Sequence, residues 1–354
     1  MKTTKFFVAL LLATVLMPVV LVSCEKNNPT PDEPTRVVLE KPRYLAAAGG
    51  KVYATCYAPA SVLRIDTASG RVEDTLMLGT TFQPEGIAVA AGRLFVASSW
   101  IMDERGATLY DHSLYVVDMA TFSVEQILEV GLNPDRVMAV GDSLVVVCCN
   151  GDYDGVPGNS YLVDARTLAV TAAGLEMTGL TVDQGLVYAY SAPYGSGNVS
   201  YFTFDPASGT TTPILADCGV ARPYGIAVVD GDVLLTAATA SSMGDVICFG
   251  PDGERRWTCE AGMFTSKLVS LGDGTAYVLN QGLWGGNDAS LSRVTLANGQ
   301  ITNYIFAAAN GRGLGDIAQD ILVYGSKAYI TVTFSNTIEV VDPATNRSSQ
   351  IALR

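Results

Sequence analysis

The sequence predicts an all-β fold, a seven-bladed β-propeller of four-stranded antiparallel blades. One unit recurs along the chain: a Pro- or Gly-led turn, an apolar strand, a tight Gly/Asp turn, a second strand, a variable loop, a third strand ending in Asp, and a fourth strand. The second strands set the phase through seven residue pairs: Val52-Tyr53, Leu94-Phe95, Leu144-Val145, Val187-Tyr188, Val233-Leu234, Ala276-Tyr277 and Ala328-Tyr329. Successive pairs are 42, 50, 43, 46, 43 and 52 residues apart, which is the length of a propeller blade.

The turns between third and fourth strands support this register. Five of them begin with an aspartate: Asp66, Asp118, Asp164, Asp205 and Asp342. An aspartate carboxylate can accept a hydrogen bond from the backbone two residues on, so each of these turns has a local reason to close a hairpin. The strands they join are apolar on both faces, as expected of a blade packed between two neighbours.

The chain begins with a segment that does not belong to the propeller. Lys2 and Lys5 precede an apolar run of 17 residues, 6–22, and Leu21-Val22-Ser23-Cys24 ends it. The run is short for a transmembrane helix, and a small residue directly before Cys is typical of a lipoprotein signal. We therefore expect a signal peptide over 1–23, with Cys24 as the lipidated residue. The polar, Pro-rich residues 24–35 would form the anchor and an extended tether.

Residues 36–354 are then expected to form a single propeller domain. We expect segments 36–40 and 349–353 both to lie in the last blade, because each has the phase of a fourth strand. The net charge is −13, and without Lys2 and Lys5 it is −15. Such an acidic domain should repel nucleic acid and anionic lipid head groups. We thus expect no nucleic-acid partner, and contact with the membrane only through the lipid anchor.

Six cysteines remain in the expected propeller, namely Cys56, Cys148, Cys149, Cys218, Cys248 and Cys259. An even number in an exported protein would permit disulfides, but cysteine is also a common small core residue. We expect buried thiols, with Cys218–Cys259 the one pair to check. No Cys/His spacing indicates zinc.

Catalytic motifs are sparse. The chain has a single histidine, His112, and nothing in the sequence positions it against a nucleophile. No phosphate-binding or dinucleotide-binding loop is present. The sequence therefore favours a binding protein that requires no cofactor over an enzyme.

One loop resembles half of a calcium site. Asn150, Asp152 and Asp154 place oxygen donors at alternate positions, but Tyr161 stands where the bidentate Glu of a calcium loop belongs. The segment is therefore either a Gly/Asp-rich turn or a calcium site completed by neighbours or water.

The candidate binding residues lie in long loops. Loops between second and third strands and the connections between blades emerge on one face of a propeller, here called the long-loop face. The long loops expected from sequence span 98–112, 150–159, 191–198 and 280–288. Aromatic plates with polar donors suit recognition. The candidate ligand-binding residues are Trp100, Arg105, Arg136, Tyr153, Tyr194, Asn198, Arg222, Tyr224, Trp284, Asn287 and Arg312.

The last repeat carries a family resemblance. Ala328-Tyr329-Ile330-Thr331-Val332, a loop with Asn336, and the turn Asp342-Pro343-Ala344-Thr345 resemble the YVTN (YncE-like) propeller repeat. The likeness extends over all seven repeats and is tightest in the last, while the fifth and sixth depart from it at the Asp turn. It implies the propeller and says little about function.

A lipoprotein signal, a short tether and such a propeller are together similar to surface lipoproteins of TonB-dependent uptake systems, of which the BtuG type captures cobalamin. The resemblance implies an outer-membrane, surface-exposed lipoprotein that binds a small molecule, a corrinoid as first candidate, for a TonB-dependent transporter. Two alternatives stay open. One is a glycan- or protein-binding adhesion propeller, and the other is a lactonase-type enzyme.

Overall fold

The structure is a computed structural model that describes residues 39–353 apart from 217 and 239–241. The expected signal peptide, the Cys24 anchor and the tether lie outside the described residues. Seven four-stranded antiparallel sheets follow one another along the chain, each with its strands in sequential order. The described residues belong to one compact unit. The prediction of an all-β, seven-bladed propeller is confirmed.

The strands of the first four blades are β1 (Glu40–Ala48), β2 (Lys51–Ala58), β3 (Ser61–Asp66), β4 (Arg71–Met77), β5 (Pro84–Ala90), β6 (Arg93–Met102), β7 (Thr108–Asp118), β8 (Ser123–Glu129), β9 (Pro134–Val140), β10 (Leu144–Cys149), β11 (Asn159–Asp164), β12 (Val170–Ala172), β13 (Gly179–Asp183), β14 (Leu186–Ser191), β15 (Ser200–Asp205) and β16 (Thr210–Ile214).

The strands of the last three blades are β17 (Pro223–Val229), β18 (Asp232–Ala237), β19 (Met243–Phe249), β20 (Arg255–Met263), β21 (Thr265–Ser270), β22 (Thr275–Asn280), β23 (Ser290–Thr295), β24 (Ile301–Thr302), β25 (Ala318–Tyr324), β26 (Lys327–Val332), β27 (Thr337–Val341) and β28 (Ser348–Ala352). A helix of six residues, α1 (Ile305–Asn310), connects β24 to β25.

The core lies between the blades. Second and third strands are buried on both faces, as in β6, where Leu94, Phe95, Val96 and Ala97 are all inaccessible to solvent. Both faces are apolar because each blade packs against a neighbour on either side. This packing explains why the strands lack a hydrophobic–polar alternation.

Hydrogen bonds from second strands join neighbouring blades. The hydroxyls of Thr55 and Thr236 each donate to a carbonyl at the start of the next blade's inner strand, at Glu85 and Ser266 respectively, and both bonds measure 2.9 Å. Thr331 makes the equivalent bond to the carbonyl of Arg43. Thr331 is the threonine of the YVTN-like repeat, so this residue of the motif links one blade to the next.

Two glycines allow the inner strands to approach each other. A Cβ at Gly86 would lie 2.4 Å from the carbonyl oxygen of Asp135, and one at Gly225 would lie 2.3 Å from that of Ser266. Since real Cβ atoms do not come so close, these positions fix the spacing of blade 2 against blade 3 and of blade 5 against blade 6.

The ring closes between blade 7 and blade 1. Strand β28 is the fourth strand of blade 7, as predicted for 349–353. Glu40, however, begins β1 and pairs with Ala58, so that residue belongs to blade 1, while 36–38 lie outside the described residues. The Leu39 amide donates to the Leu353 carbonyl at 3.3 Å, and the Thr333 hydroxyl donates to the Pro42 carbonyl at 2.8 Å.

The predicted turns between third and fourth strands are confirmed. The carboxylate of Asp205 accepts from the amide of Ala207, two residues on, at 2.9 Å, and Asp164 and Asp342 accept in the same way. Asp66 and Asp118 accept from the amide three residues on. In blade 6 the side-chain oxygen of Asn298 accepts from the amide of Gln300, two residues on, at 3.0 Å. These turns form the face opposite the long loops, here called the tight-turn face.

The six described cysteines are free thiols. Cys56, Cys148, Cys149 and Cys248 are buried as expected, whereas Cys218 and Cys259 are half-buried. Burial raises the pKa of the Cys56 thiol to about 12. No helix within the described residues is long and apolar enough to cross a membrane.

Candidate functional site

The innermost strand of six blades begins with a β-bulge. A bulge sets an extra residue against the partner strand and re-aims its side chain. The residues at corresponding positions of these bulges are Arg43, Glu85, Asp135, Tyr224, Ser266 and Gln319; in blades 1 and 2 the bulge also includes Tyr44 and Gly86. We call the six residues at corresponding positions the bulge ring. They lie at the end of the inner strands that is nearest the long-loop face.

Blades 1, 2 and 7 are connected through this ring. Arg43 pairs with Glu85 at 3.0 Å and also donates to the side-chain oxygen of Gln319. The amide of Gln319 donates to the Tyr44 hydroxyl oxygen at 3.1 Å, and the Tyr57 hydroxyl donates to Glu85. Burial raises the pKa of the Glu85 carboxyl above its ordinary value, although Arg43 opposes the shift.

The inner strands enclose a central channel with a cavity of about 340 Å³. Its lining changes along the strands. Toward the long-loop end it includes Tyr44, Arg136, Tyr224, Lys267 and Gln319. Toward the tight-turn end the lining consists of apolar residues, among them Ala47, Val89, Ala139, Leu180, Ala227, Leu268 and Leu322. The channel is therefore polar at its mouth and apolar below.

Four aromatic residues lie side by side on the long-loop face over blades 2, 3 and 4. Trp100 pairs across its hairpin with Tyr110. The ring of Tyr110 lies 6.1 Å from that of Tyr153, and Tyr153 lies 5.2 Å from Tyr194, both edge-to-face. Tyr194 keeps 78% of its surface exposed. We call these four residues the aromatic row.

The row borders the channel mouth. The pKa of Tyr153 is raised to about 12, by burial first and then by the charge of Asp135, a member of the bulge ring. The loop that carries Tyr153 is also joined to the start of β9, because the Asn150 amide donates to the Asn133 carbonyl at 2.9 Å.

A second aromatic pair lies on the same face over blades 6 and 7. The rings of Trp284 and Phe334 are 6.3 Å apart, and Trp284 is 80% exposed. The ammonium of Lys41 lies 5.8 Å from the Phe334 ring centre. The long-loop face thus presents aromatic surface in two places, with the channel mouth belonging to the same face.

The structure differs from the predicted loop in blade 2. Residues 98–112 were expected to be a loop, but β6 continues to Met102 and β7 starts at Thr108, which leaves only a turn at 103–107. Cross-strand pairing of Trp100 with Tyr110 and of Ile101 with Leu109 extends the hairpin. Trp100 is therefore held on a strand rather than on a flexible loop.

Four of the predicted polar residues are exposed on the long-loop face. Arg105 lies in the blade 2 turn, Asn198 and Asn287 lie in the loops of blades 4 and 6, and Arg222 directly precedes β17. Tyr224 already has a hydrogen-bond partner within the protein, because its hydroxyl donates to the side-chain oxygen of Gln281 at 3.1 Å.

Arg312 does not join the other predicted residues. Its guanidinium makes two hydrogen bonds, of 3.0 and 2.7 Å, to the carboxylate of Glu339 on β27, which is inaccessible to solvent. Nearby, the side chain of Asn310 donates to the carbonyl of Asn346 on the tight turn of blade 7. Helix α1 thus leads this connection along the side of blade 7, where Arg312 holds a buried carboxylate.

The predicted calcium loop is closed by its own hydrogen bonds. One carboxylate oxygen of Asp152 accepts from the amides of Asp154, Gly155 and Val156, at 3.0, 2.8 and 2.7 Å. These bonds lower the pKa of Asp152. Within the described residues no three His, Cys, Asp or Glu side chains group as metal ligands. Calcium at Asn150, Asp152 and Asp154 stays a prediction.

The fold is shared with solved structures. The chain superposes on Kuenenia stuttgartiensis hydrazine synthase with a TM-score of 0.64 and 14% identity, covering 90% of this chain and 99% of that one. BamB from Moraxella catarrhalis gives a TM-score of 0.52 at 14% identity, covering 84% of this chain and 81% of that one. These likenesses establish the fold alone. No protein-family model and no curated protein sequence matches the chain.

Sequence reasoning missed part of the site. Tyr110 and Phe334 complete the two aromatic groups. Tyr110 lies in the segment 98–112 that was expected to be a loop, and Phe334 lies in the motif segment of the last repeat. Most of the bulge ring was missed because a bulge leaves no trace in hydrophobic periodicity. A signal exists nonetheless: in four blades a proline precedes the bulged residue, as in Pro42-Arg43, Pro84-Glu85, Pro134-Asp135 and Pro223-Tyr224.

Proposed function

We propose that the protein binds a ligand on its long-loop face without transforming it. The observation that carries this proposal is the aromatic row, in which Tyr153 and Tyr194 are exposed while Trp100 and Tyr110 are half-buried. Exposed aromatic surface of this extent is uncommon unless it is used for binding. Rings held by a rigid scaffold lose little conformational entropy when a ligand covers them.

A large, flat ligand with a fringe of hydrogen-bonding groups suits this face best, and a corrinoid is our first candidate. The ring edge of a corrin would lie on Tyr153 and Tyr194, and its amides would meet exposed donors such as Asn198 and Arg105. The choice of a corrinoid rests on the resemblance to BtuG-type lipoproteins. An oligosaccharide would use the same rings and donors.

Calorimetry with the mature chain carrying Cys24→Ser tests the ligand. We expect saturable binding of cyanocobalamin, and we expect Tyr194→Ala or Trp284→Ala to weaken it by about 2 kcal/mol, roughly thirtyfold. Tyr304→Ala is the matched control, because Tyr304 is 51% exposed but lies on the connection into α1. Binding to an oligosaccharide panel and not to cyanocobalamin would replace the corrinoid with a glycan.

The enzymatic alternative is tested in the same preparation. The only histidine, His112, is exposed on β7, and we propose that no reaction depends on it. Turnover of a lactone panel that disappears in His112→Ala would overturn the proposal of a binding protein.

We propose further that Cys24 carries the lipid anchor and that the protein lies on the outer membrane. Cys24→Ser should release a folded propeller, since the core is formed by residues C-terminal to the tether. Retention of this variant in membranes after a carbonate wash would contradict the anchor.

The proposed recipient of the ligand is a TonB-dependent transporter. Such a partner should co-purify with the lipidated protein from detergent-solubilised outer membranes. Substitution of the exposed Trp284 should reduce the yield of the complex if the long-loop face closes over the transporter. Complex formation that is indifferent to this face would place the contact elsewhere.

A further inference from the structure

Three cationic side chains lie at the mouth of the central channel, and two of them form close ion pairs with carboxylates. Arg43 pairs with Glu85 at 3.0 Å. Lys267 pairs with Asp320, whose other oxygen accepts from the Leu45 amide at 2.9 Å. The third cation is Arg136, which lines the cavity.

Arg136 has no comparable partner. Its Nε is buried and makes no hydrogen bond to any described residue. The nearest carboxylate oxygen belongs to its neighbour Asp135, 3.9 Å away, which exceeds a hydrogen-bond length. A buried donor without an acceptor costs about 1–3 kcal/mol, more for a charged group, so such a group calls for an explanation.

Asp135 has only the same long contact with Arg136, at 3.9 Å. Within the described part of the chain no group donates a hydrogen bond to its carboxylate, and the side chain is 24% exposed. As the bulged residue of β9 it lies one position closer to the long-loop face than Arg136. The mouth therefore holds an unsatisfied acceptor above an unsatisfied donor.

Tyr44 adds a second donor to this end of the cavity. Its hydroxyl oxygen accepts from Gln319, and no described residue accepts the Tyr44 hydroxyl proton. Tyr44 and Arg136 line the same cavity. An anionic group between them would accept hydrogen bonds from both side chains.

The charge balance excludes a simple anion. Arg43, Lys267 and Arg136 are matched in number by Glu85, Asp320 and Asp135, so the mouth is neutral overall, and the whole chain is strongly acidic. A ligand that brings one charge would leave either Arg136 or Asp135 without a partner. A zwitterion would satisfy both.

The apolar lining below the mouth favours a ligand whose charged head group carries an apolar tail. The cavity of about 340 Å³ is near the small end of ligand sites, which range from about 300 to 1,000 Å³. Residues such as Leu180, Leu268 and Leu322 line it toward the tight-turn end. An aliphatic side chain placed there would be shielded from water.

We propose that the channel mouth binds a hydrophobic α-amino acid in its zwitterionic form, with the carboxylate on Arg136 and Tyr44, the ammonium on Asp135 and the side chain in the apolar channel. This site is separate from the aromatic row, and the proposal does not depend on the ligand that binds there.

Calorimetry of the mature Cys24→Ser chain with L-leucine tests the site. The probes for comparison are 4-methylpentanoate, which lacks the ammonium, and 3-methylbutylamine, which lacks the carboxylate. We expect leucine to bind at least about tenfold more tightly than either, since each lost charge-assisted bond leaves a partner unpaired. Equal affinity for leucine and 4-methylpentanoate would overturn the zwitterion, and no saturable binding of leucine would overturn the site.

Two substitutions test which residue binds the carboxylate of the ligand and which binds its ammonium. Arg136→Gln should weaken leucine about tenfold or more while leaving 3-methylbutylamine unchanged. Asp135→Asn should reduce leucine to the affinity of 4-methylpentanoate. Unchanged leucine affinity in both variants would contradict the assignment. Circular dichroism melts identify a variant that fails to fold, and Arg136→Lys, which keeps the charge and loses the fork, then replaces Arg136→Gln.

Variants on the long-loop face outside the channel mouth distinguish this site from the ligand site of the proposed function. Arg105→Gln, at an exposed arginine of the blade 2 turn, and Tyr194→Ala should leave leucine binding unchanged. If Tyr194→Ala abolishes both cyanocobalamin and leucine binding, there is one site and the channel proposal fails. If leucine binds and cyanocobalamin does not, the proposal of a corrinoid on the aromatic row fails and the channel proposal stands.

Discussion

The two faces of the propeller use carboxylates in opposite ways. On the tight-turn face, Asp205 accepts hydrogen bonds from the turn that it begins. At the mouth on the long-loop face, Glu85 is bound by Arg43 and Tyr57, which both come from blade 1. The first arrangement is local, and an aspartate makes it on five turns. The second joins different blades, as the carboxylate of Asp320 does between blades 1, 6 and 7.

The pKa values reflect this difference. Hydrogen bonds from its own turn lower the pKa of Asp205, whereas burial raises that of Glu85. A carboxylate on a turn thus stabilises the fold in its charged form, while the interior of the mouth disfavours the charge. The carboxylates of the tight-turn face therefore stabilise the fold, whereas the mouth holds charged groups at a cost to stability, as binding sites commonly do.

The largest effect is expected where a carboxylate joins blades. Asp320 is 1% exposed and accepts from Leu45 in blade 1 and Lys267 in blade 6. Asp320→Ala should lower the free energy of unfolding by about 2–3 kcal/mol, because it leaves a buried amide and an ammonium without an acceptor. Asp205→Ala should cost less, since its partners are exposed to water. Urea denaturation compares them, and equal losses would refute the distinction between faces.

A smaller loss is expected from the motif threonine that joins blade 7 to blade 1. Thr331→Val keeps the shape but removes the bond donated to the Arg43 carbonyl and the bond accepted from the Asp320 amide, which should cost about 1–2 kcal/mol of unfolding free energy. Thr258→Val, on an exposed position of β20, should remain within about 0.5 kcal/mol of the parent. A Thr331 variant as stable as the Thr258 variant would show that the bond between blades contributes nothing.

Acid should reduce the stabilisation that Asp205 gives on the tight-turn face. The pKa of Asp205 is lowered on folding, so its contribution is present above the unfolded value, 3.8, and is lost as pH falls through the folded pKa. Asp205→Asn should therefore melt below the parent at neutral pH, with a gap that narrows under acid. Thermal melts between about pH 7 and pH 2 measure this gap. A constant gap would mean that charge on the turn is irrelevant.

The smallest expected effect is measured by titrating one carboxyl group on each face. Carboxyl NMR should place the pKa of Glu85 above the ordinary 4.5 and that of Asp205 below the ordinary 3.8. By the same linkage, the raised pKa of Glu85 means that acidification relieves a cost of folding rather than adding one. Shifts in the same direction for both residues would remove the contrast.

Much of the fold could be predicted because each blade repeats the same local chemistry. The Tyr53-type pairs and the Asp205-type turns are set by burial and by short-range hydrogen bonds, and both leave a periodic pattern. The long-loop face was predicted as a set, and Tyr153, Tyr194 and Trp284 lie there in exposed positions.

Features that arise between repeats could not be predicted from the pattern. Tyr110 was hidden in a segment expected to be a loop, and pairing with Trp100 places it in the aromatic row. Arg312 was expected on the face, but helix α1 redirects its connection. Asp135 and Arg136 lie together at the channel mouth because of a bulge in β9. The bulge arises from the pairing of β9 with β10 and cannot be seen in the composition.

The bulges have a consequence for how any disc-shaped molecule would sit on this ring. Blades of equal shape would offer a disc seven equivalent rotational settings, and the bound state would be a mixture of them. Here the bulged positions differ in size and charge, from Arg43 through Ser266 to Gln319, while the strands around them remain alike. The repeated blades thus approach rotational symmetry and the bulged residues break it, so that an asymmetric ligand would be held at one preferred angle about the channel axis.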